Sequence, residues 1–80
     1  MNDRTDMLRR ARLFAEQAEA CMERMYDARS PGDATARYSD AKEALHDAIG
    51  LAQQAGDSEL AEQLTERLMH LKQVFRNQFS

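Results

Sequence analysis

Apolar residues recur along this chain in steps of three and four. In the middle they fall at Tyr38, Ala41, Leu45, Ala48, Ala52 and Ala55, a spacing that gathers them on one face of a helix. A second stripe follows at Leu60, Ala61, Leu64, Leu68, Leu71 and Phe75. Between the two, Gly56 stands where a left-handed residue closes a helix. Asp57, with Glu59 and Glu62 behind it, offers acidic groups to the free N–H groups and positive dipole end of the next helix. These two segments are expected to fold back on each other as an antiparallel hairpin with almost no loop.

An earlier stripe runs through Met7, Ala11, Phe14, Ala18, Cys21 and Met25, widened by Leu8, Ala15 and Met22. Its alternating steps are those of a bundle helix. Asp6 with Arg10, and Arg12 with Glu16, stand four apart and can pair on its outer face. The break after it is Ser30-Pro31-Gly32-Asp33. Ser30 can cap a helix that begins at Pro31; alternatively Asp33 caps, with Gly32 in a turn. Either way the connection is short, which makes the flanking helices antiparallel neighbours. Nowhere do β-branched residues alternate as in a strand. The expected fold is all-α: an up-down-up antiparallel three-helix bundle, one domain over residues 1–80 with helices at about 3–28, 31–55 and 58–78. Phe14, Ala18, Leu45, Ala48, Leu64, Leu68 and Leu71 should be buried together.

Length and composition narrow the function classes. A chain of 80 residues buries only ~60% of its unfolded surface, so its core is thin, and self-association is a common support for such domains. Helix three carries more apolar residues than one stripe can hide, with Met69, Val74 and Phe79 beside its core positions. Helix one adds Met22 and Tyr26. These five form the expected interaction surface, for a protein partner or for a second copy in a two-fold homodimer. The net charge of −3, with 31% charged residues of both signs, argues against nucleic acid, which needs a basic face. Arg9, Arg10 and Arg12 lie among acids and read as a solvated face. A single cysteine forms no internal disulfide and points to a reducing compartment. The opening MNDRTD lacks the apolar run of a signal peptide, and no stretch is apolar enough for a membrane span. The expected setting is cytoplasmic, with Met1 as the initiator residue.

Candidate chemistry is sparse. His46 lies one position past Leu45, at the edge of the core stripe or outside it. Gly50 stands four residues later on the same face, and Lys42 one turn earlier. A glycine inside a helix costs ~1 kcal/mol against alanine, so Gly50 calls for a compensation: close helix packing, or access for a partner. The bland reading of His46 is a solvated histidine; the functional one is a nucleophilic imidazole with open space beside it. His70, near a helix end, reads as structural, and Cys21 as an inert core thiol. Cys21, His46 and His70 show no paired spacing, so neither a metal nor another cofactor is expected. No phosphate loop, carboxylate pair or Ser/His/Asp arrangement is present.

Two resemblances bear on function. Tyr38, Ala41, Leu45, Ala48 and Ile49, followed by the Ala55-Gly56-Asp57 turn and Leu60 to Leu68, resemble tetratricopeptide-like helical hairpins over about half the chain. That resemblance implies binding of a protein or peptide. His46, Gly50, Ala52, Gly56, Leu60 and Leu64 are similar in order and spacing to the motif of histidine phosphotransfer domains. It implies His46 as phosphoryl carrier, with Gly50 leaving room for a receiver's aspartyl site. Ile49 stands where that family has lysine, Ala48 where it usually has leucine, and the family packs four helices. The expectation drawn from all of this is a protein–protein interaction module without catalytic activity. The alternative is a histidine-phosphotransfer-like signalling protein using His46, with Lys42 reaching in from one turn away.

Overall fold

A computed structural model describes residues 3–79; Met1, the expected initiator, lies outside the described residues. The chain forms α1 (Arg4–Tyr26), α2 (Pro31–Gln54) and α3 (Ser58–Phe79), with no strand among the described residues. It is an all-α three-helix bundle.

Each helix start has a side-chain cap. The Asp6 N–H donates to Asp3 Oδ1 at 2.8 Å, the Asp33 N–H to Ser30 Oγ at 3.1 Å, and the Leu60 N–H to Asp57 Oδ1 at 3.0 Å. Each bond satisfies one of the N–H groups left free in a first helical turn. Of the two starts open to α2, the chain uses Ser30, with Pro31 as first helical residue. α1 ends at Tyr26, two residues before the expected Ala28. Ser30 is already extended (φ −145°, ψ 156°) as the next cap, so the reversal has to be completed within residues 27–29. The α2–α3 joint is a Schellman closure. Gly56 takes φ 75°, its N–H donates to the Gln53 carbonyl at 3.0 Å, and the Asp57 N–H donates to the Ala52 carbonyl at 2.9 Å. Arg4 Nε also donates to the Ala55 carbonyl at 3.0 Å. That cation at the C-terminal end of α2 favours the dipole there and fastens the start of α1 to the joint.

α2 is the shared element, packed against both α1 and α3. Its buried face is mostly alanine: Ala34, Ala41, Ala44, Ala48 and Ala52, with Leu45 and Leu51. Small residues let helices approach from two sides, and larger side chains from the neighbours fill the space: Met22 and Met25 from α1, Leu64, Leu68 and Leu71 from α3. α1 and α3 reach each other through side chains. Arg67 clasps Glu19 with both ends of its guanidinium, at 2.6 and 2.8 Å, and Tyr26 lies 6.3 Å from Phe79 between ring centroids. Tyr38 of α2 stacks on Phe75 of α3, nearly parallel at 4.0 Å.

The core contains Ala18, Leu45, Ala48, Leu64, Leu68 and Leu71 as expected, but Phe14 is only half-buried. Phe14 sits on the α2-facing edge of the α1 stripe, where no third helix covers it. Cys21, one turn pair further on that edge, is likewise part-exposed and not a core thiol. On the outer face of α1, Asp6 pairs with Arg9 at 2.8 Å instead of with Arg10; three residues apart is the shorter reach on this helix.

Candidate functional site

The helices set out two regions worth weighing, one at an end of the bundle and one along α2. At the end, α1 turns into α2 beside the last turns of α3. Ala28, Pro31, Ala34 and Phe79 line a shallow hollow there. Tyr26, 48% exposed, leans on Phe79. Of the five residues expected to form an interaction surface, Tyr26 and Phe79 come together here. Val74, five positions and about 140° around the helix axis from Phe79, packs part-buried against the core and does not join them. Met22 does not either. It is 2% exposed and part of the core, because the edge of the α1 stripe on which it lies is the edge α3 covers. Met69, at 64% the most exposed large apolar side chain among the described residues, stands five positions before Val74, about 140° around the helix axis, on another flank of α3.

The second region is the outward face of α2. His46 is exposed. A β-carbon built on Gly50 would meet nothing within 4 Å, so this glycine is not there for close packing against α1 or α3. Gly50 lowers the helix surface, and a shallow hollow runs across it from His46 and Gln54 on α2 to Arg10 and Phe14 on α1. Lys42 takes no part. Its ammonium lies over the Tyr38 ring, 5.1 Å from the centroid, an attraction between cation and π-face that turns it toward the start of α2 and away from His46. The cation brought to the hollow is Arg10, from the other helix. Helical periodicity gives no view of that neighbour, since the register between α1 and α2 decides it. Ile49 packs against the core.

The remaining titratable candidates are peripheral. His70 is exposed on α3. The Glu19 carboxyl is held below its ordinary range by hydrogen bonds from Arg67 that outweigh its partial desolvation; it belongs to the α1–α3 clasp and to neither region. Among the described residues, no group of histidine, cysteine and acidic side chains is arranged to hold a metal ion, and no helix is long and apolar enough to cross a membrane. No family model, curated relative or solved structure matches the chain.

Proposed function

We propose that this chain is a small cytoplasmic protein-binding module without catalysis of its own, and that its partner, another protein or a second copy, docks on Tyr26 and Phe79 at the end of the bundle. The observation that carries this reading is an aromatic pair left part-exposed beside a shallow hollow in which Ala28, Pro31 and Ala34 are rimmed by Arg29, Ser30 and Gln78. Aromatic side chains at a rim of this kind supply large contact area at small entropic cost, and they dominate binding energies where they are buried by a partner. The resemblance to tetratricopeptide-like hairpins points the same way.

The test is affinity capture with the intact chain beside Tyr26→Asp and Met69→Asp. A partner that is retained by wild type and by Met69→Asp, and lost with Tyr26→Asp, supports the reading. A partner indifferent to Tyr26→Asp, or no partner at all, removes it.

A second reading is favoured by one observation: His46 and an open Gly50 share a hollow with a cation, Arg10, beside the Asp47 carboxylate. In this reading a nitrogen of the His46 ring attacks the phosphorus of a receiver's aspartyl phosphate. The N–P bond forms, the P–O bond to the aspartate breaks, and the ring releases its proton. Attack in line with the leaving oxygen needs the space Gly50 leaves, and Arg10 supplies the positive charge that Ile49 does not. Incubation with a phosphorylated receiver domain should leave acid-labile phosphate on the chain, lost in His46→Gln and reduced in Gly50→Ala with the fold intact. Label that persists in His46→Gln excludes this reading.

A further inference from the structure

We infer that Met69 is a reversible oxidation site: its thioether takes an oxygen atom from a hydroperoxide in the folded protein, and the bundle stays closed. The site lies apart from the Tyr26–Phe79 end and from the His46 hollow, and it depends on neither reading. Met7, Met22, Met25 and Met69 lie among the described residues, and the fold gives them three kinds of surroundings. Met69 is 64% exposed on a flank of α3. Met7 is part-buried against the core. Met22 and Met25, 2% and 0% exposed, are enclosed within it.

The chemistry favours the first of these. The sulfur of a thioether attacks one oxygen of hydrogen peroxide. The S–O bond forms, the O–O bond breaks, and the proton of the transferred oxygen moves to the departing one, which leaves as water. Sulfur is oxidised by two electrons and the peroxide is reduced. The reagent is polar, so it has to reach the sulfur through solvent. Around Met69 the residues one turn away on the helix surface are Thr65, Glu66, Lys72 and Gln73. All four are polar and exposed, and none covers the thioether with apolar surface. The product fits the same surroundings. A sulfoxide oxygen is a hydrogen-bond acceptor, and at Met69 it is met by water, with the Lys72 and Gln73 donors one turn away. In the core, which contains no polar or charged side chain among the described residues, the same oxygen on Met22 or Met25 would be a buried acceptor without a donor. Those two sulfurs are reached only when the bundle opens. Reversal at Met69 takes two electrons and two protons from a dithiol, which becomes a disulfide while the oxygen leaves as water.

The test is timed treatment of the full chain with hydrogen peroxide, with and without urea below the unfolding midpoint. Each methionine is followed by peptide mapping and mass spectrometry, and helical content by circular dichroism. Without urea, Met69 should oxidise at least about tenfold faster than Met22 and Met25, and ahead of Met7, with helical content unchanged through that step. Urea should speed Met22 and Met25, whose oxidation requires opening, and leave Met69 as it was. Met69→Leu should remove the early step and leave the rates at Met22 and Met25 unaltered. Methionine sulfoxide reductases for both sulfur epimers, supplied with a dithiol, should return Met69 to the thioether in the folded chain. A Met69 rate matched by any of the other three overturns the inference. So does a Met69 rate that climbs with urea alongside those of Met22 and Met25, helical signal lost in step with Met69 oxidation, or a sulfoxide that the reductases leave in place.

Discussion

Two glycines of this chain have opposite reasons to be there. Gly56 holds φ 75°, a backbone that costs any residue with a β-carbon about 1–2 kcal/mol. Gly50 sits in ordinary helix with open space around it, so alanine there should stabilise by about 1 kcal/mol through helix propensity alone. Urea denaturation of Gly56→Ala and Gly50→Ala should move the midpoint in opposite directions; a destabilised Gly50→Ala would mean that the glycine is structural after all.

At the scale of the helix, α1 and α3 are held to each other by a clasp on the surface. The Arg67 hydrogen bonds keep the Glu19 carboxyl below its ordinary value of 4.5. A group whose pKa is lowered by folding contributes its stability above the unfolded-state value. That contribution should be complete above about pH 4.5 and be lost progressively as pH falls from there to the lowered folded-state value. The pair is part-exposed on both sides, so its worth is that of a surface pair, about 0.2–1 kcal/mol. Glu19→Gln should cost that much at pH 7 and nothing in strong acid, measured by urea denaturation across pH; an equal cost at both ends would assign the effect to packing. The helices themselves were legible in the sequence because their signals are local: stripe spacing, Ser30-Pro31, Gly56-Asp57. The flanks of each stripe were not. Met22 and Phe14 both lie near the apolar face of α1, yet α3 covers one and the other stays half-exposed. Likewise, the spacing of His46 and Gly50 was visible, while the arrival of Arg10 depended on the register between two helices, which no single helix encodes.

Over the whole molecule, the main packing joins helices adjacent in sequence, around an α2 whose alanines are met from both sides. Leu45 is fully buried at that centre, and Leu45→Ala should cost about 2–5 kcal/mol in chemical denaturation; a loss well below 1 kcal/mol would contradict a shared core. A topology of this kind, rich in local contacts, should fold within microseconds to milliseconds, so refolding in stopped-flow should be over at or near the dead time. The two tyrosines provide the optical means to follow it. The chain has no tryptophan and two tyrosines, so near-ultraviolet light excites a very small set of chromophores with no stronger emitter to drain them. Each tyrosine stands at a different seam: Tyr38 is stacked on Phe75 between α2 and α3, and Tyr26 leans on Phe79 between α1 and α3. Tyr26→Phe would leave one emitter watching one seam, and Tyr38→Phe the other, so the protein carries its own pair of colour-matched gauges for the order in which its helices part.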